Sequence, residues 1–243
     1  MVNIRHFQPG VELDAEAMEQ FQSHWSVYRK LVDNDYAAHA AAYGRLHDIL
    51  LTLDRPFRFV DLACGDARET VSALQGTRVT HYLGIDLSDA ALRLAAPAVE
   101  RLPCPAELDE RDFEDALEHM AEPVDVVWFG LSLHHLQHDD KLAVMRSIRR
   151  ALRDDGLFVF YEPFLREGED RAGFMRRFET NRDAWIALSP EEWRVIRDHV
   201  TECDFPETAS EWQAMARAAG FARTQQLMTD PREFLAMFLS ETR

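Results

Sequence analysis

Between Arg58 and Glu162 the chain repeats a single alternation of short apolar runs with helically spaced segments. "RFVDLA" is followed by "ETVSALQ", "HYLGIDL" by "DAALRLA", and "VDVVWFGL" by "DKLAVMRSIRRAL", before "GLFVFYE" closes the series. Runs of four to eight apolar residues that alternate with helices bury both faces of a sheet. The expectation is a mostly parallel sheet with helices on either side, an α/β three-layer sandwich.

The flanks read differently. "AEAMEQFQSHWSVYRKLV" and "YAAHAAAYGRLHDILLTL" place apolar residues at helical spacing, and Pro56 ends that section. After Pro163 the chain is rich in Arg, Glu and Trp, with helical periodicity and no strand. "ETASEWQAMARAAGF" is then a helix that starts within Glu207 to Ser210 and stops at Gly220. "ARTQQLM" and "EFLAMFLS" read as two final strands. The organisation expected is a single domain, 1–243. A helical cap occupies 1–56, the sheet core 57–162 and 207–243, and a helical insertion 163–206 covers the substrate.

The net charge of -16 disfavours nucleic acid as a partner, because phosphate binding needs a positive face. No run reaches the roughly 18 apolar residues of a membrane span. The N-terminus lacks the basic start and apolar centre of a signal peptide, and Cys64, Cys104 and Cys203 are widely spaced. These features suit a reduced, cytoplasmic protein.

The first strand runs into the chain's one Cys-Gly-Asp, residues 64–66, and then into a helix. Gly65 permits a tight turn and the approach of a ligand outside the carboxyl end of a strand, although an ordinary strand-to-helix turn looks the same. The next strand ends at Asp86, about twenty residues on. An acid there can accept hydrogen bonds from both ribose hydroxyls of a nucleoside, or can simply cap a helix.

The whole order resembles the class I, Rossmann-like S-adenosylmethionine-dependent methyltransferases. "VDLACGDAR", "GIDLS", "ERDFED", "PVDVVWFGLSLHHL", "LRDDGLFVFYEP" and "WQAMARAAGF" resemble that family's successive motifs over about residues 57–240. The first motif usually carries two or three glycines, and here only Gly65 remains. The resemblance implies a seven-stranded sheet in the order 3-2-1-4-5-7-6, with the N-terminal helices and the insertion as a lid. It implies S-adenosyl-L-methionine as cofactor and S-adenosyl-L-homocysteine as product. Asp61, Ala63 and Gly65 would line the methionine end and Asp86 would hold the ribose, with Cys64 and Leu87 also among the cofactor-binding residues. Asp112 and Phe113 would meet the adenine, with Phe129 and Gly130 on the adjoining strand. The activity implied is methyl transfer to O or N of a small-molecule acceptor, with a homodimer left open. The rivals are a carboxy-S-adenosylmethionine synthase-like enzyme of tRNA modification and a non-catalytic cofactor-binding regulator.

The remaining candidates are weighed residue by residue. His134 or His135 could act as a general base, since an imidazole titrates near neutral pH. With His138, Asp139 and Asp140 they also suggest a metal site, but adjacent histidines point apart and Asp139 suits a helix cap, so no metal is expected. Glu162 is assigned to the substrate side of its strand and Tyr161 to the core. Arg166, Arg171, Arg176, Arg177 and Arg182, interleaved with Phe174, Phe178, Trp185 and Trp193, read as a solvated face or as the lining of a substrate roof. Trp25, Tyr28, Tyr36, His39 and Tyr43 recur at helical spacing as core, or as a lid with Tyr28 or Tyr36 on the cofactor.

Overall fold

The computed structural model describes residues 3–5 and 27–243. Trp25 and most of the first expected helix lie outside these residues. The first described element, β1 (Asn3–Arg5), is a strand where a helix was expected. Helix α1 (27–33) leads into α2 (His39–Leu51). The alternation follows: β2 (Phe57–Leu62), α3 (Arg68–Leu74), β3 (Val79–Asp86), α4 (Asp89–Val99), β4 (Ala106–Glu110), α5 (Phe113–Glu118), β5 (Val124–Gly130), α6 (His138–Ala151) and β6 (Leu152–Leu165). Helices α7 (Arg171–Glu179) and α8 (Pro190–Cys203), the short strand β7 (Glu207–Thr208), α9 (Ala209–Ala218) and the hairpin β8 (Arg223–Thr229) and β9 (Leu235–Glu241) complete the chain.

The sheet order is β1-β4-β3-β2-β5-β6-β9-β8, with β7 pairing β6. Omitting β1 and β7 leaves seven strands in the expected 3-2-1-4-5-7-6 arrangement. The strand count is therefore a correction: β1 adds an edge beside β4, and β7 pairs with Phe164 and Leu165 of an extended β6. The core strands are parallel except β9, which runs antiparallel to both β6 and β8.

Period-two alternation divides the side chains between two cores. Val126 and Trp128 of β5, Val159 and Tyr161 of β6, and Met237 and Leu239 of β9 face α2, α3, α4, α7 and α8. Val127, Phe129, Phe158, Phe160, Ala236 and Phe238 face α5, α6 and α9. Helix starts are built from local chemistry. Ser189 and Glu192 form a capping box on α8, with Pro190 at its first turn. Thr208 and Glu211 do the same for α9, and Gly220 ends it at φ 100°. Asp139 is not the cap of α6: that helix begins one residue earlier, behind Gln137, which makes no side-chain cap. Among the described residues no helix is long and apolar enough to cross a membrane.

The insertion carries its own core. Phe174, Phe178, Trp185 and Trp193 are all buried. Phe178 stacks on Trp193 at 5.0 Å, meets Trp185 edge-on at 5.9 Å and reaches Phe234 at 5.5 Å. Tyr36 from the N-terminal segment stacks on Trp185 at 5.3 Å and accepts from the Ala187 N–H at 2.9 Å. The expectation that these aromatic side chains line a substrate roof is thus corrected. They are consumed in joining the insertion to the sheet and to the N-terminal helices. Phe178→Ala should cost about 3–5 kcal/mol of global stability, seen as one cooperative urea transition. A separate early transition for the insertion, with the main midpoint unmoved, would contradict this integration.

Candidate functional site

The loop after β2 crosses the carboxyl ends of the central strands. Ala63, Gly65 and Ala67 all adopt the left-handed region, at φ 53°, 54° and 54°. Every second residue of the turn therefore holds a conformation natural to glycine, yet two of the three are alanine. Each left-handed alanine costs about 1–2 kcal/mol. The geometry of a three-glycine cradle survives with only Gly65 left. The Gly65 N–H donates to Asp86 Oδ2 at 2.9 Å, and the Ser88 N–H to Asp86 Oδ1 at 2.8 Å. Asp86 thereby ties the end of β3 to the loop after β2. Burial raises its pKa, against the lowering effect of those N–H groups. A carboxylate has about four lone-pair sites, so it retains acceptor capacity. Beside it Leu87 is 67% exposed, an apolar side chain with nothing of the described chain over it.

Asp61 does not line the opening of this cradle. Its carboxyl is 2% exposed and accepts from the Tyr82 hydroxyl at 2.9 Å. Gly84 makes that contact feasible, since a Cβ there would stand 2.9 Å from the Tyr82 oxygen and 3.0 Å from the Cys64 sulfur. Burial pushes the Asp61 pKa up to about 7, against hydrogen bonds from Thr70 and Tyr82 that lower it. The Cys64 side chain is likewise buried in the core, leaving only its backbone to the turn.

The other expected cofactor residues divide. Asp112 caps α5, accepting from the Glu114 N–H at 2.8 Å and the Asp115 N–H at 3.3 Å. Phe113 packs edge-on against Phe129 at 5.1 Å. Phe129 is fully buried in the second core, so its ring cannot meet a ligand. This corrects its assignment; Trp128, on the opposite face of β5, is itself 1% exposed in the first core and packs on Tyr43 at 5.2 Å. Gly130 ends β5, and a Cβ there would press on the Trp128 ring at 3.0 Å. Tyr28, 37% exposed, lies near Asp66 and Glu69. His39 is held edge-on to Tyr28 and stacked on Tyr43, each at 6.2 Å. Both His39 nitrogens are buried without a partner, and burial lowers its pKa to about 4.

A second cluster lies where β5 leads into α6. Glu162 is fully buried and accepts from the backbone of Ser132, Leu133 and His134 and from His134 Nδ1, the last at 2.5 Å. Its assignment to the substrate side is therefore corrected: its oxygens are spent in shaping the 133–135 turn. His134 is buried and His135 half-exposed. Burial alone would lower the His134 pKa, but Glu162 and Asp204 outweigh it and raise it to about 9. Burial and the charge of His134 lower His135 to about 4. Asp204, which the sequence reading missed, reaches this cluster from the end of α8. One signal was present in the sequence: an acid at a helix C-terminus opposes the helix dipole. Arg171 compensates by donating to the carbonyls of Val200, Thr201 and Asp204.

A glycine turn after the first core strand, an acid at the end of the second and this strand order define a Rossmann-like, class I methyltransferase fold. Residues 59–156 match the family described as the methyltransferase domain. No curated protein matches the chain in sequence. A chain from the complex between the Haloferax volcanii Trm112 methyltransferase activator and a methyltransferase superimposes with a TM-score of 0.64 at 16% identity, over 92% of this chain and 96% of its own. The cyclopropane synthase MmaA2 from Mycobacterium tuberculosis gives 0.53 at 15%, over 85% and 82%. A Nostoc punctiforme protein named for O-methyl transfer gives 0.56 at 15%, over 82% and 56%. Such identities establish the fold. The chain spans little more than half the length of several of these structures, 56%, 53% and 54% for three of them.

Two outcomes are expected. Ala67→Gly should stabilise the protein by about 1 kcal/mol, since the strain relieved exceeds the entropy added to the unfolded chain; a lower urea midpoint would show that the turn is not left-handed at 67. Asp61 has a folded pKa of about 7, above an ordinary carboxyl near 3.9. Its contribution is therefore present below about pH 4 and lost as pH rises through about 7. Wild type should lose stability relative to Asp61→Asn between pH 5 and pH 8. Parallel pH profiles would place the Asp61 carboxyl in water.

Proposed function

We propose that this chain binds S-adenosyl-L-methionine across the 63–67 turn and transfers its methyl group to an oxygen or nitrogen of a small molecule. The observation that carries this reading is the pairing of the left-handed 63–67 turn with Asp86, 21 residues beyond Gly65. The residues fit the cofactor. Asp86 offers acceptors to ribose hydroxyls, Leu87 an apolar surface to the adenine, and Asp112, with one oxygen in the α5 cap, an acceptor to the adenine amine. Asp86, with Asp66 beside it in an ion pair with Arg68 at 2.6 Å, offers carboxylate acceptors to a cofactor that carries a sulfonium and an α-ammonium group. The unpaired nitrogens of His39, within reach of the Asp66 field, leave polar capacity on the N-terminal wall. The alanine Cβ atoms at 63 and 67 make the carboxylate end tighter than a three-glycine turn.

The cofactor supplies an electrophilic methyl carbon. The chain would align the acceptor behind that carbon and exclude water from the sulfonium, so that the acceptor oxygen or nitrogen gains the methyl, the carbon–sulfur bond gives its pair to sulfur, and the acceptor's proton passes out to solvent beside the half-exposed His135. The acceptor is placed between the N-terminal helices and the 163–206 segment, near the His134–His135 turn. His135 is the half-exposed imidazole of that turn. His134 and Glu162 position it. Asp86→Ala should weaken S-adenosylhomocysteine binding by roughly 2–4 kcal/mol, the value of two charge-assisted hydrogen bonds. Calorimetry with unchanged affinity would remove Asp86 from the site. Incubation with a panel of phenols, carboxylic acids and amines should yield S-adenosylhomocysteine with at least one of them. Tight cofactor binding with no turnover on any member would favour a binding protein, and a carboxylated nucleoside in the purified protein would favour the synthase.

A further inference from the structure

The cluster beyond β5 gathers three imidazoles about one buried carboxylate oxygen. Asp204 is 3% exposed, and its Oδ1 has no hydrogen-bond partner. Yet three imidazoles converge on that one oxygen. His134 Nε2 and His135 Nδ1 each stand 3.5 Å away, and His199 Nε2 stands 3.9 Å away; His135 Nδ1 also donates to the Cys203 carbonyl at 3.2 Å. The separations from Asp204 exceed the 2.7–3.2 Å of an N–H···O hydrogen bond. They fit the edge of a tetrahedron about a divalent ion, about 3.3–3.6 Å for bonds of about 2.0–2.2 Å. The candidate ligand atoms of His134, His135 and Asp204 lie within 4.8 Å of one another. A flip of the half-exposed His135 ring, which gives up its bond to the Cys203 carbonyl, offers its other nitrogen to the ion.

From this geometry we infer that His134, His135 and Asp204, with His199 beside them, form a binding site for a divalent transition-metal ion. Two imidazoles and a carboxylate suit ions such as zinc, cobalt(II) or iron(II). The surroundings are those of a built site. His134 turns Nδ1 to the buried Glu162 at 2.5 Å, leaving Nε2 for the ion, the arrangement by which a second carboxylate orients a ligand imidazole. Asp204 is fixed from both sides: Arg171 holds its carbonyl, and the next residue, Phe205, donates its N–H to the His134 carbonyl at 2.8 Å. Lys141, fully buried, holds the Phe205 carbonyl. Glu162 and Asp204 place two carboxylates about His134, a charge that a dication offsets. His135 and His199 are 36% and 54% exposed, so the ion has an entry path and an open position for water.

The inference stands on this cluster alone and is independent of methyl transfer. The test uses the full chain, stripped with chelator and dialysed. Titration with zinc by calorimetry should give one site per chain with a dissociation constant below 1 micromolar, on the order of magnitude of protein zinc sites. Cobalt(II) should develop the visible absorption of a tetrahedral nitrogen–oxygen site. His135→Ala and His199→Ala lie on the surface and should fold as wild type by circular dichroism. His135→Ala should weaken zinc at least tenfold, and Asp204→Asn at least a hundredfold. His138→Ala, outside the cluster, should bind as wild type. Absence of saturable zinc binding, or equal binding by wild type, His135→Ala and Asp204→Asn, would overturn the site. So would loss of the ion on substituting His138 alone.

Discussion

The hydrogen bond from the Gly65 N–H to Asp86 Oδ2, at 2.9 Å, is the contact on which the candidate site depends. It joins the turn after β2 to the end of β3, and it places a carboxylate beside a backbone with no side chain in the way. Adjacent parallel strands bring these two groups together: Leu62 pairs with Ile85 in register, and the Cys64 N–H continues the ladder to the Ile85 carbonyl at 3.0 Å. The strain of two left-handed alanines is set against this ladder and the start of α3. The surrounding structure over-determines the turn, the condition under which such strain persists at functional sites.

Beneath the turn, polar groups are satisfied within the protein, whereas above it they are not. Asp61 is committed to Tyr82, and Gly84 leaves the room for that contact. Leu87 is exposed beside Asp86, and the buried nitrogens of His39 have no partner among the described residues. The same division recurs beyond β5. Glu162 saturates itself on the 132–134 backbone, while Asp204 Oδ1 is left unpaired among imidazoles. The insertion links the two regions. Its aromatic residues bind it to the sheet and the N-terminal helices, and its last helix delivers Asp204.

Periodicity made the layers legible in the sequence, because burial on both faces leaves a parallel strand with few alternatives; the strand order came from the resemblance to the methyltransferase family. The two final strands, the start of α9 and its stop at Gly220 were equally plain. The edge strand β1 was not, since three residues carry too little pattern to compete with a helical reading of their surroundings. In the site, the turn and Asp86 could be read from spacing. Direction could not: a strand gives alternate residues to opposite faces, and Glu162 and Phe129 were placed on the wrong ones. Asp204 and His199 stand about 65–70 residues from His134, and the packing of α8, which no local pattern encodes, brings them to it. The aromatic residues of the insertion were counted correctly as needing burial, but they bury against one another and Phe234.

The most direct measurement is amide exchange at Gly65 by nuclear magnetic resonance, with and without S-adenosyl-L-homocysteine. A donor tied to Asp86 beneath a bound nucleoside should exchange slowly in the free protein and more slowly, with a shifted resonance, once the ligand is added. A Gly65 amide that exchanges at the rate of an open loop and ignores the ligand would contradict the account.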